Sequence, residues 1–312
     1  MSLLGQPCGL TALIETFRRG ANVASITKGY GHYRKSRLYI LPAEVPGFRP
    51  LSVWRLLGDL LSTMKKLAGK IAVITGGSSG LGLATARQFV EDGAYVFITG
   101  RREAELDAAV HSIGNNVTGV VGDVSNLEDL DRLFGMIERD RGRLDVVFAN
   151  AGGGSFSPLG AISEAHFDQT FAVNVKGLLF TVQKALPLLS DGSSIILTGS
   201  ATGSSGTPAL SVYAASKAAV RSFARNWILD LKLRRIRVNT ISPGPINTPG
   251  LDQLVPDLEQ RRQMQAMLAE AIPLGRLGTP VEVARAVAFL ASEESSFING
   301  IELFIDGGMA QI

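Results

Sequence analysis

From Lys70 onward, short apolar runs alternate with helix-length stretches almost to the end of the chain, and this alternation constrains the fold more than any other feature. Runs at Ile71–Thr75, Ala94–Thr99, Val117–Val121, Leu144–Ala149, Ser194–Thr198, Arg237–Ile241 and Ile301–Ile305 predict seven strands. Their Val, Ile, Leu and Phe content is nearly continuous, as in strands covered on both faces. Helices are predicted between them at Leu81–Glu91, Glu103–Ser112, Leu127–Arg139, Glu164–Val173, Val175–Leu189, Val212–Leu233, Leu251–Ala271 and Val281–Ser292. Alternation of this kind means parallel βαβ units. The expected class is α/β: a single doubly wound parallel seven-stranded sheet with helices on both faces, spanning residues 64–312. In such sheets ligands bind beyond the carboxyl ends of the strands, at the switch point.

The preface, residues 1–63, is irregular and shows no sustained period. It holds eight basic and three acidic residues, so the overall charge of +3 comes from this stretch and the body is slightly acidic. The body therefore has no basic surface of the kind nucleic acid needs, and no nucleic-acid partner is expected. Three readings of the preface compete. It is a non-native or dispensable start, with translation beginning at Met64; an Arg-rich, acid-poor targeting segment; or a docking arm. Cys8 is the single cysteine, so no disulfide can form within the chain. That fits a reducing, cytoplasmic setting. No apolar run is long enough to span a membrane. His32, His111 and His166 are scattered, and no metal site is expected.

Thr75-Gly76-Gly77-Ser78-Ser79-Gly80-Leu81-Gly82 follows the first strand and opens the first helix. Gly76, Gly80 and Gly82 permit a tight turn and close approach of a pyrophosphate, with Ser78, Ser79 and Leu81 supplying backbone N–H groups at the helix start. Strand, glycine turn and helix together give the dinucleotide fingerprint of a Rossmann-like fold. A carboxylate at the tip of the second strand would bind a ribose 2′-hydroxyl. This chain has Thr99-Gly100-Arg101-Arg102 there. Arg101, with Arg102 beside it, suits a 2′-phosphate through its planar fork. NADP(H) is therefore favoured as cofactor, with NAD(H) as the alternative. Asp123-Val124 closes the third strand and is a candidate for the adenine amino group. Asn150-Ala151-Gly152 closes the fourth, where small residues let backbone approach a ribose.

Tyr213 and Lys217 stand four residues apart at the start of the long helix, on one face. A free tyrosine has a pKa of about 10. A lysine cation roughly 5 Å away, at an effective dielectric of about 20, favours phenolate by about 3 kcal/mol. That predicts a tyrosine pKa lowered by about 2 units, within reach of proton transfer. Ser200, thirteen residues before Tyr213, closes the fifth strand. Its hydroxyl is a candidate to bind the substrate oxygen. Asn174 is a candidate to anchor a water that links Lys217 to solvent.

On these motifs, residues 64–312 resemble a short-chain dehydrogenase/reductase of the Tyr-x3-Lys type. The likeness rests on Thr75–Gly82, Asp123, Asn150–Gly152, Asn174, Ser200, Tyr213, Lys217, Pro243-Gly244 and Asp306-Gly307-Gly308. It implies that Tyr213 is the acid/base, that Lys217 also holds the nicotinamide ribose, that Ser200 orients the carbonyl and that Asn174 serves a proton relay. It further implies cofactor contacts from Pro243, Gly244, Ile246 and Thr248, with Thr248 on the nicotinamide amide or the pyrophosphate. A homo-oligomer, tetramer or dimer, follows by analogy. The chain departs from the family where two asparagines often precede Ala-Gly: Ala149 stands before Asn150. The spacing of four between Tyr213 and Lys217 argues against the enoyl-reductase branch, where it is longer.

The expected function is hydride transfer between the nicotinamide and a small carbonyl or secondary alcohol. The alternatives are a 3-oxoacyl thioester reductase, with Arg261, Arg262 and Arg276 near the cleft, and a non-catalytic dinucleotide sensor. Ser155, Phe156, Ala201, Thr202 and Leu210 are expected to border the substrate. The long connection Thr248–Gly275 is expected to act as a lid or as a core-facing amphipathic segment.

Overall fold

A computed structural model describes residues 65–255 and 257–311. The expectations for the preface lie outside the described residues. Seven strands form one sheet: β1 Ile71–Thr75, β2 Tyr95–Gly100, β3 Val117–Val121, β4 Leu144–Ala149, β5 Leu189–Thr198, β6 Arg237–Pro243 and β7 Glu302–Ile305. Their order is β3-β2-β1-β4-β5-β6-β7, and every neighbouring pair is parallel. The order reverses between β1 and β4, so the switch point lies at the carboxyl tips of those two strands.

Alternation along each strand sends side chains to opposite faces. Ile71 and Val73 of β1 join one apolar core, while Ala72 and Ile74 join the other. Helices α1 (Gly80–Glu91), α2 (Glu103–Ile113) and a later helix, Pro280–Ala291, cover the second core through Phe89, Leu106 and Val287. Helices α3 (Leu127–Arg141), α5 (Leu178–Ala185) and α6 (Ser211–Asp230) cover the first through Leu133, Val182 and Val220. Phe89, Phe97 and Phe148 are wholly buried. Each such side chain contributes about 1.5–3 kcal/mol of transfer free energy.

Several boundaries differ from expectation, each for a local reason. The first helix begins at Gly80, where φ is +53°, and ends before Gly93, where φ is +91°. α3 is capped by Asn126, whose side chain accepts from Glu128 N–H. It stops at Gly142 in the left-handed region, where glycine escapes the Cβ penalty. β5 starts at Leu189, five residues early, across a register shift opposite Leu144 and Val146. The stretch Glu164–Leu189 is not two plain helices. α4 (Glu164–Phe171) runs into a π-helical segment, Ala172–Gly177, before α5. The expected helix Leu251–Ala271 divides into α7 (Pro249–Asp252) and α8 (Leu258–Ala271), because Thr248 and Asp257 each cap a separate start. The final helix, α9 (Pro280–Ala291), opens with a full capping box between Thr279 and Glu282.

One arginine holds the end of α9 to the sheet. Arg237 of β6 donates to the Leu290 and Ser292 carbonyls and, on its other arm, to Ser295 Oγ and the Ile298 carbonyl. The Leu290 carbonyl also accepts from Ser194 Oγ and Ser295 Oγ, and the Ser292 carbonyl from Ser295 N–H, so the guanidinium joins a shared network.

Candidate active site

The β1 and β4 tips are tied by Thr75, whose Oγ1 accepts from both Asn150 N–H and Ala151 N–H at 3.0 Å. Asn150 donates its side-chain amide to the Thr75 carbonyl at 3.0 Å and accepts from Thr198 Oγ1 on β5. Its side chain thus braces three strand ends, and Ala151 and Gly152 follow it into the crevice.

The glycine loop is shaped by contacts that leave no room for side chains. Gly76 has φ +67°, which favours glycine, and its carbonyl would lie only 2.1 Å from a Cβ on Gly82. A Cβ on Gly100 would sit 2.9 Å from Ser78 Oγ, so the β2 tip packs directly beneath the loop. Ser79 is the N-cap of α1 but makes no side-chain capping bond. The first-turn N–H groups around Leu81 therefore face the crevice without a side-chain acceptor, and the helix dipole points the same way. Thr248 reaches over this loop: its methyl lies 3.6 Å from the position of a Gly80 Cβ, while its hydroxyl caps α7 by accepting from Leu251 N–H. This cradle fits a dinucleotide pyrophosphate.

Asp123 lies two residues beyond the end of β3 rather than on it. Its carboxylate accepts from Ser125 N–H and Ser125 Oγ, and its own N–H donates to Asp129. Asp129 is held below the usual carboxylate range, first by that backbone bond and then by Arg132. Arg101 Nη1 stands 3.8 Å from Asp123, and the pair is mostly exposed. Such a contact is weak in water. Arg102 instead pairs with Glu105 at 3.2 Å, within the start of α2. The side chains of Val124 and Ile246 belong to the two apolar cores. Pro243 ends β6, and Gly244 passes so close to Asp306 that a Cβ would meet its Cα at 2.8 Å. Asp306 in turn accepts from Gly308 N–H and Ala310 N–H, which folds the chain back past Gly307.

Ser200, Tyr213, Lys217 and Asn174 converge. Ser200 lies two residues past β5, buried, and accepts from Thr202 N–H as the cap of a short 3-10 turn. Lys217 is 3% exposed and donates from Nζ to the Thr198 carbonyl at 2.8 Å. Burial without a carboxylate pushes its pKa down to about 8. The lysine nitrogen stands 5.7 Å from the centroid of the Tyr213 ring. Burial pushes the Tyr213 phenol above its ordinary value, and the Ser200 hydroxyl draws it partly back. The expected lowering of the tyrosine pKa by Lys217 is therefore reversed in the protein itself. Both groups have lost water, and the desolvation of a phenolate outweighs a cation that is already engaged elsewhere.

Asn174 sits in the π-helical segment, where an extra residue in the turn often marks a functional position. Its side chain accepts from Gly153 N–H and donates to the Gly153 carbonyl and to Ser216 Oγ. A Cβ on Gly152 would wedge 3.0 Å from Asn174 Oδ1 and 3.1 Å from Lys217 Nζ. Three contributors escaped the reading of the sequence. Thr198 donates its hydroxyl to Asn150 and accepts from Lys217 Nζ at its carbonyl. Gly154 lies on the Tyr213 ring, where a Cβ would come within 2.5 Å. Ala209, just before α6, has φ +60°, a strained value for alanine. A third glycine after Gly152-Gly153 was the one available signal.

A family model described as enoyl-(acyl carrier protein) reductase matches residues 76–310. An oxidoreductase of Sarocladium schorii, asL5, is 48% identical over 254 residues, covering 81% of this chain and 100% of the relative. An NADP-dependent (R)-specific alcohol dehydrogenase of Lentilactobacillus kefiri is 36% identical over 250 residues, covering 78% and 97%. The crystal structure of levodione reductase superposes with a TM-score of 0.74 at 31% identity, covering 78% and 99%. The chain belongs to the short-chain dehydrogenase/reductase family. It is an oxidoreductase of the class that interconverts C=O and CH–OH with a nicotinamide dinucleotide. No helix among the described residues is long and apolar enough to cross a membrane.

Proposed function

We propose that the protein is an NADP(H)-preferring carbonyl reductase in which Tyr213 is the general acid. The observation that carries the reading is the convergence of buried Ser200 and Lys217 with half-buried Tyr213 beside a glycine cradle. The bound dinucleotide supplies a hydride to the carbonyl carbon. Tyr213 delivers its phenolic proton to the carbonyl oxygen, and Ser200 orients that oxygen and steadies its developing charge. Burial raises the Tyr213 phenol and the Ser200 hydroxyl opposes that shift, so Tyr213 is protonated near neutral pH. Lys217 spends one of its three donors on the Thr198 carbonyl, and the others suit the hydroxyls of the nicotinamide ribose. Its depressed pKa lets it pass a proton on to Tyr213 near neutrality. Asn174 keeps Gly153 and Ser216 in place and so preserves the path from Lys217 outward. The four-residue spacing of Tyr213 and Lys217 supports carbonyl over enoyl chemistry.

Gly76, Ser78, Ser79, Gly80, Leu81, Gly82 and Thr248 would hold the pyrophosphate, and Asp123 the adenine side. Arg101 is the proposed 2′-phosphate ligand: its contact with Asp123, at 3.8 Å, is looser than that of Arg102 with Glu105, at 3.2 Å. The relative from Lentilactobacillus kefiri is described as NADP-dependent, which agrees. Replacing Arg101 by Ala should weaken NADPH binding about 10- to 100-fold, the scale of a charge-assisted pair, while NADH binding stays within about twofold. Titration of both nucleotides by fluorescence checks this. Equal losses for NADPH and NADH would contradict the assignment.

A further inference from the structure

The backbone between Gly152 and Ser157 is held at several points. Asn174 binds Gly153 at both its N–H and its carbonyl. Gly154 rests on the Tyr213 ring. Ser155 Oγ lies 3.3 Å from His166 Nδ1. Ser157 N–H donates to the carbonyl of the strained Ala209 at 2.7 Å. Between the last two anchors, Phe156 is 47% exposed. An aromatic ring on a fixed backbone, two residues from contact with the reacting phenol, offers contact area at little entropic cost.

The crevice walls joined by the Ser157–Ala209 bond are also uncharged. Residues 146–163 and 192–213 contain Asp191 and Glu164 only just outside their limits, and no Asp, Glu, Lys, Arg or His within them. A carboxylate, phosphate or phosphopantetheine-bearing substrate would find no cation within either segment; the cation beside them, Lys217, is buried against the Thr198 carbonyl. Burial of such charge without a partner is costly.

Resting on the proposed reductase reading, we infer that Phe156 is a specificity-determining residue and that the substrate class is an uncharged, ring-bearing ketone that packs against it. The two segments carry no charge for an ionised group, and Phe156 supplies an exposed apolar surface two residues from Gly154, which lies on the Tyr213 ring. Leu210, next to Ala209, extends the apolar lining on the opposite side.

The test compares 1-tetralone, a bicyclic ketone, with 2-butanone and with acetoacetyl-CoA, using the full chain and its Phe156→Ala and Phe156→Tyr variants. The expected result is turnover of 1-tetralone well above acetoacetyl-CoA, a rise of about tenfold in KM for 1-tetralone in Phe156→Ala, and little change in kcat. Phe156→Tyr should restore the KM, the KM for 2-butanone should change by less than about twofold in either variant, and the NADPH dissociation constant should stay unchanged. Equal changes for both ketones, no change for either, preference for acetoacetyl-CoA, or failure to reduce 1-tetralone while NADPH still binds would each overturn the inference. Failure to bind NADPH at all would instead strike the reductase reading beneath it, and the inference with it.

Discussion

Replacing Tyr213 by Phe should lower kcat for ketone reduction by about 10²- to 10⁴-fold, the range general acid catalysis supplies. NADPH binding should stay within about twofold, because the phenol ring, which packs under Gly154, is retained. The fold should survive as well. The hydroxyl's one influential neighbour is Ser200, which keeps Thr202 as a partner once the phenol is gone. Steady-state kinetics beside a fluorescence titration of NADPH separate the two effects. A variant with near-normal kcat would mean that the proton comes from another group. A variant that fails to bind NADPH would mean that Tyr213 is chiefly structural.

The second large effect is expected at Gly82. Its added Cβ would meet the Gly76 carbonyl at 2.1 Å and Asn150 Nδ2 at 2.8 Å. Neither neighbour yields easily. The Gly76 carbonyl is backbone in a left-handed turn, and Asn150 braces the tips of β1 and β5. The loop must shift, and overpacking of this kind costs about 1–3 kcal/mol. Gly82→Ala should therefore lower the thermal midpoint by several degrees and weaken NADPH binding by tenfold or more, since the cradle moves with the loop. A melting curve with and without NADPH checks both. An unchanged midpoint with unchanged affinity would show that the helix start is looser than its packing indicates.

Strand and helix periodicity exposed most of the framework. β1, β3 and β4 occupy the residues their apolar runs mark, and all seven strands pair in parallel. The features that escaped have physical reasons. The early start of β5 was hidden because Asp191-Gly192 reads as a turn. The π-helical insertion at Asn174 leaves the apolar period around it almost intact, so only the backbone reveals it. Arg237 binds carbonyls more than fifty residues away, and no local pattern marks such a clamp. Alanine is no signpost for positive φ, so the strained Ala209 was invisible.

The residues of the candidate site were legible, but part of their electrostatics was not. Spacing shows that a cation lies one turn from a phenol; it does not show how much water both have lost. That loss reverses the expected shift at Tyr213 and sets Lys217 near 8.

The central claim is that hydride passes from a nucleotide in the glycine cradle to a carbonyl carbon held beside Tyr213. Reduction of a ketone with NADPH deuterated at its transferable position tests it most directly. The alcohol should carry the deuterium at its carbinol carbon, in proportion to the nucleotide oxidised. Alcohol formed without the label, or nucleotide oxidised with no alcohol formed, would contradict it.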